Sequence, residues 1–168
     1  SAASDVYKRQ IFDSHTHSIH SFDGNHSCNA LCDGAIEHGA IGIAITDHCD
    51  IDMKDFEPEK FAKVQFADVT KTQTEYKDKL QVLHGIELGQ GIFNKPLSEK
   101  ILSDYKYDFV LGSIHNLKGL DDFYFLDYKQ YNIKQLLTQY FEAELELAEW
   151  GNFDCLLYTS PSPRDISG

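Results

Sequence analysis

Apolar residues fall along the chain in short runs and helical stripes that alternate. Ile11–Ser14 is a brief apolar start running into His15. From Ser27 to His38, apolar positions recur at helical spacing (Ala30, Leu31, Ala35, Ile36), and Gly39 follows where a helix C-terminus takes glycine. Ile41–Ile45 is rich in branched residues and predicts a buried strand. The stretch from Asp50 to Pro58 is acidic and irregular, a loop. Glu59–Leu80 predicts a long helix, polar on one side, and Gln81–Glu87 a strand closed by Gly89 and Gly91. A helix over Leu97–Lys106, a strand over Tyr107–Ile114 and an aromatic-bearing loop over Lys118–Lys129 follow. Tyr131–Trp150 is amphipathic and helical, and a fifth strand is expected to begin at Phe153–Asp154. Strands alternating with helices predict parallel pairing in an α/β sheet or barrel. No internal repeat or linker divides the chain.

Composition narrows the class. A chain of 168 residues fits one domain, and 42% apolar with 25% charged residues excludes collagen-like and low-complexity sequences. No run approaches the roughly 18 apolar residues of a membrane helix, and no basic-then-apolar leader opens the chain, so a cytoplasmic address without a membrane partner is expected. The net charge of −12, from 15 Lys+Arg against 27 Asp+Glu, argues against a nucleic-acid partner. Acid in excess, joined to eight histidines, suits a protein that concentrates cations. Cys28, Cys32, Cys49 and Cys155 form no CxxC pair, and buried or neutral thiols are expected rather than disulfides.

The polar residues gather at one place on this map. His15 and His17 follow the first expected strand, Asp47 and His48 the second, Glu87 ends the third and His115 the fourth. In α/β barrels the carboxyl ends of the strands carry the active site. Imidazoles and carboxylates are ligands for zinc, manganese and iron, and in an extended segment His15 and His17 point to the same side. Asp47 also suits a helix cap, and Asp23, in SFDG, reads on its own as a turn residue. His20, His26, His38 and His84 do not converge with the others and stay unassigned.

The two ends look foreign. Reverse-translated, SAASDVYKRQ (1–10) matches a transposase mosaic-end adapter of sequencing libraries, and CLLYTSPSPRDISG (155–168) its reverse complement with a second adapter. The native segment is therefore expected to run over 11–154, with the gene continuing on both sides.

The motifs DSHTHSIHSFDG, GIAITDHCD, HGIELG and YDFVLGSIHN, taken together, resemble those of the polymerase and histidinol phosphatase (PHP) family. The segment DFVLGSIHNLKGLDDFYFLDY is particularly similar to the monofunctional histidinol-phosphate phosphatases of that family. The resemblance implies a distorted (β/α)7 TIM-like barrel with three divalent metal ions (Zn, Mn or Fe) at its carboxyl face. It places His15, His17 and Glu87 on the first ion, Glu87 and His115 on the second, and Asp23 and His48 on the third. Asp47 is assigned either to orienting a ligand or to proton transfer.

The implied activity is hydrolysis of a small-molecule phosphate monoester, L-histidinol phosphate, in histidine biosynthesis. Alternatives are a PHP phosphoesterase acting on phosphotyrosine proteins or nucleotides, and a non-catalytic metal-binding remnant. The family's FD-x-x-x-H strand breaks off here at FDCLLYTS, and its later Asp-x-His is absent. One ligand per metal is thus expected to be missing, leaving a partial barrel, truncated after about the fifth strand, with an open edge. On that reading the polypeptide as written is inactive and its parent protein is the enzyme. Oligomeric state is not legible in the sequence.

Overall fold

The computed structural model describes residues 11–157. Its elements run β1 (Ile11–Thr16), α1 (Cys28–Glu37), β2 (Ala40–Ile45), β3 (His48–Asp50), α2 (Pro58–Tyr76), β4 (Gln81–Gly89), α3 (Lys95–Asp104), β5 (Phe109–Ser113), α4 (Ile133–Trp150) and β6 (Cys155–Leu156). All pairings are parallel, in the order β1-β2-β4-β5-β6 with β3 also on β4, and the strands curl into a half-barrel.

The helix boundaries have local causes. Ser27 caps α1 by accepting from the Ala30 amide at 3.2 Å, and Asn132 caps α4 through the Gln135 amide at 3.2 Å. Pro58 opens α2, where its missing N–H costs nothing. Gly151 closes α4 in the left-handed region at φ 66°, a conformation that suits glycine.

The helices pack outside the sheet in three apolar clusters. Cys28, Cys32, Ile43, Ile45 and Val69 join α1 and α2 to β2. Cys49, Ala62, Ile86, Leu88 and Ile101 join α2 and α3 to β3 and β4. Ile114, Phe123, Leu136, Tyr140 and Leu147 join α4 to the segment after β5. Cys28, Cys32 and Cys49 are buried free thiols, as expected, and Cys155 is an exposed one.

Some boundaries depart from the sequence reading: β1 takes in His15, and β4 runs two residues past Glu87 to Gly89. A short strand, β3, takes in Asp50, expected to open a loop, because Cys49 and Asp50 are buried against β4. The last strand begins at Cys155 rather than Phe153. Of the two foreign-looking segments, 1–10 and 155–168, all of the first and residues 158–168 of the second lie outside the described residues. In β6, Cys155 and Leu156 pair by backbone with Leu111 and Gly112, which is indifferent to the origin of the side chains.

β4 organises the site. Its first half pairs Gly42–Ile45 of β2 with Gln81–His84, and its second half pairs His48–Asp50 of β3 with Glu87–Gly89. The register is continuous across the two, interrupted only at Thr46 and Asp47. His48 therefore stands beside Glu87 at the carboxyl end of the sheet.

Candidate metal centre

Glu87 is wholly buried at the centre of a ring of imidazoles. Its Oε2 lies 2.9 Å from His15 Nε2 and 3.0 Å from His17 Nε2, and those two nitrogens lie 2.8 Å from each other. Its Oε1 lies 2.8 Å from His115 Nε2 and 3.8 Å from His48 Nδ1. On the far side of His17, Nδ1 meets both carboxylate oxygens of Asp23 at 3.0 and 3.1 Å, and His48 Nε2 is 3.5 Å from Asp23 Oδ2. Six of the seven sequence-assigned residues thus come together, in three overlapping groups: His15–His17–Glu87, His48–Glu87–His115 and His17–Asp23–His48.

The donor set fits divalent cations. Three mutual contacts among His15 Nε2, His17 Nε2 and Glu87 Oε2 need three protons, and two neutral imidazoles cannot supply them all from those atoms. His48 Nδ1 is buried without a hydrogen-bond partner, and Glu87 Oε1 faces His115 Nε2 at 2.8 Å. Cations seated within these groups would take up the lone pairs, and a set of imidazole and carboxylate donors suits zinc, manganese or iron.

The electrostatics favour bound positive charge. Burial alone would raise the Glu87 carboxyl, but its bonds to His115, His15 and His17 hold it well below the usual carboxylate range. Burial works against the His115 imidazolium, yet Asp50 and Glu87 carry its pKa up to about 10. His17 is likewise raised by Glu87 and Asp23 against burial. For His48 burial prevails and its pKa is lowered. Protons and metal ions compete for the same lone pairs, so metal affinity falls as pH falls.

Asp47, the seventh residue, faces away from this ring. Its Oδ1 accepts from the Ser18 amide at 2.5 Å and the Ser21 hydroxyl at 3.1 Å, and its Oδ2 from the Ser18 hydroxyl at 2.9 Å and Gln65 Nε2 at 3.4 Å. The Ser21 hydroxyl in turn accepts from the His48 amide at 2.8 Å. Asp47 therefore ties the loop carrying His17 and Asp23 to the strand carrying His48.

Sequence reasoning missed Asp50 and Gln90. Asp50 accepts from His115 Nδ1 at 2.9 Å and fixes that ring's orientation. Gln90, buried and in the left-handed region, belongs with its amide nitrogen 3.0 Å from Asp50 Oδ1 and its oxygen 2.8 Å from the His115 amide. The DHCD alternation was the available signal for Asp50, since positions two apart on a strand share a face. Beside them opens a cleft of about 710 Å³, lined by Asp50, Lys54, Gln90, Asn116, Lys118 and Asp121 among others. Phe22 lies over the His48 ring, with centroids 5.0 Å apart.

The sequence profile of the PHP domain matches residues 13–163. The chain belongs to the PHP family. Among its PHP relatives, a probable histidinol-phosphatase of Clostridium acetobutylicum is 33% identical over 138 residues, covering 80% of this chain and 51% of the relative. A histidinol-phosphatase of Lactococcus lactis subsp. lactis is 24% identical, covering 88% of this chain and 57% of the relative. The crystal structure of histidinol phosphate phosphatase from Lactococcus lactis, complexed with zinc, L-histidinol and phosphate, superimposes with a TM-score of 0.71. At 23% identity it covers 89% of this chain and 57% of that one, and the likeness establishes the PHP fold. This PHP chain spans a little over half the length of the relatives it matches.

Proposed function

We propose that the protein to which this PHP chain belongs is a phosphoric monoester hydrolase acting on L-histidinol phosphate. The observation that carries the chemistry is the convergence of four imidazoles and two carboxylates around Glu87. The relatives' names support the substrate. Six residues are assigned as ligands: His15, His17 and Glu87 to one ion, Glu87 and His115 to a second, Asp23 and His48 to a third. The nature of the ions is left to zinc, manganese or iron, which this donor set accommodates.

When bound, divalent ions of this kind lower the pKa of water and neutralise a phosphoryl dianion. The rest falls to the protein's own side chains. Glu87 presents one oxygen to the His15–His17 side and the other to the His115 side, so it fixes the separation between the two positions. Asp50 holds the His115 ring by its Nδ1, and Asp47 holds the His17 and His48 segments together. The cleft beside Asp50 and Gln90 has the size of a small-molecule site; Lys54 and Lys118 on its wall stand among Asp50, Asp52, Asp121 and Asp122, so the charge that receives an anionic substrate rests with the bound ions. Asp47 has all its acceptor capacity engaged by Ser18, Ser21 and Gln65, which supports an orienting role over proton transfer.

The test extends this reading frame in the source DNA and assays the protein it encodes, loaded with Zn²⁺ or Mn²⁺. Phosphate release is compared for L-histidinol phosphate, a phosphotyrosine peptide and a nucleoside monophosphate. Preference for L-histidinol phosphate, abolished by Glu87→Gln, is the expected result. Preference for either other substrate moves the protein elsewhere in the family, and metal binding without hydrolysis makes it a non-catalytic PHP protein.

A further inference from the structure

Apart from the ring around Glu87, three donor atoms of different chemistry meet on the outer side of the sheet. His20 Nε2 lies 2.9 Å from Asp68 Oδ2, and Cys28 Sγ lies 3.5 Å from the same oxygen. All three atoms lie within 4.8 Å of one another. They come from three separate parts of the fold: His20 from the loop between β1 and α1, Cys28 from the first turn of α1, and Asp68 from the middle of α2. Cys28 is buried at 1% exposure, whereas the Asp68 side chain is 38% exposed, so the group has a closed sulfur end and an end open to solvent.

We propose that His20, Cys28 and Asp68 form a separate site for a zinc-type divalent cation, with solvent in the fourth position. A tetrahedral zinc bound by one nitrogen, one sulfur and one oxygen needs its ligand atoms about 3.3 to 3.6 Å apart, from the usual bond lengths. The sulfur–oxygen distance already has that value, and the nitrogen–oxygen distance must open by only a few tenths of an ångström. The His15–His17–Glu87 group is drawn together to the same degree, with contacts of 2.8 to 3.0 Å.

The thiol sets the selectivity. Burial pushes Cys28 up to about 12, so without a cation it is a neutral thiol pointing at Asp68. Cation binding releases that proton to solvent and leaves a thiolate ligand at the amino end of α1, where the free backbone N–H groups favour negative charge. Thiolate with imidazole selects zinc or cobalt over magnesium, calcium or manganese, while the ring around Glu87, all nitrogen and oxygen, carries no such bias. An ion held there clips the β1–α1 loop, which carries His17 and Asp23, onto α2.

Cobalt(II) separates this site from the ring, because only this site offers sulfur. The 168-residue chain is loaded with Co²⁺ and its near-ultraviolet spectrum recorded, and Zn²⁺ content is measured by mass spectrometry for the parent, Cys28→Ala and Asp68→Asn. A sulfur-to-cobalt charge-transfer band in the parent, lost in Cys28→Ala, with one fewer zinc per chain in both variants, is the expected result. Asp68→Asn keeps the shape of a partly exposed side chain, so it stands if Cys28→Ala does not fold. Absence of the band in the cobalt-loaded parent, or Asp68→Asn binding as much zinc as the parent, overturns the proposal and leaves His20–Asp68 a plain ion pair.

Discussion

Asp47 and Glu87 are both carboxylates with no solvent exposure, and their surroundings send them to opposite tasks. Four hydrogen-bond donors meet the two oxygens of Asp47, whereas the oxygens of Glu87 face imidazole nitrogens. Asp47→Asn places an amide against the Ser18 amide or hydroxyl and loosens the His17 and His48 segments without removing a ligand. A loss of about 10- to 100-fold in metal affinity is expected, as for other residues that orient ligands, and zinc titration measures it. His84 reports on stability instead. It is buried against Phe66, donates to Gln65 Oε1 at 2.9 Å, and burial lowers its pKa to about 4. Because that lies below the ordinary 6.5, the unfolded chain binds the proton first. The stability contribution is therefore complete above pH 6.5 and drains away as pH falls to about 4, by about 3 kcal/mol. Urea unfolding at pH 7 and pH 4.5 should show this loss in the parent, and His84→Gln should flatten it.

At the scale of elements, Gly89 at the end of β4 allows the closest approach in the site. A Cβ there would collide with Asp50 Oδ1 and come within 3.2 Å of His115 Nδ1. Gly89→Ala is expected to push Asp50 off His115 and empty the His115 side of the ring, while the His15–His17 side keeps its ion. Metal stoichiometry falling by one, with the far-ultraviolet spectrum unchanged, checks this. The same strand shows what was legible beforehand. The apolar runs at Ile41–Ile45 and Gln81–Glu87 and the stripe Ala30–Ile36 mark elements whose burial is written in their own periodicity, and the ligands fall at their ends. Asp50 was not legible, because an acidic stretch opening a loop looks the same whether or not β4 lies over it. The side of the backbone that Asp47 faces was equally hidden, since its partners Ser18 and Gln65 come from distant positions. Asp23 needed the family resemblance, for SFDG by itself spells a turn.

For the whole molecule, the net charge of −12 and the carboxylates of the ring make bound cations a source of stability. An ion held at 100 times its Kd adds about 2.7 kcal/mol, which for a chain of this size raises Tm by about 5 to 10 °C. Thermal scans with zinc and with a chelator should differ by at least that, and His115→Asn should shrink the gap. The sheet order has a consequence in time. β2 pairs with β1, β4 with β2 and β5 with β4, and β3 waits only for β4, so the half-barrel can grow in the order in which the chain leaves the ribosome. His15, His17, Asp23 and His48 arrive early, but they surround nothing until β4 brings Glu87 between them, and His115 comes later still. Capture of an ion is then a late event that seals a nearly finished structure. Added zinc should slow unfolding much more than it speeds refolding, a difference that stopped-flow mixing can read directly.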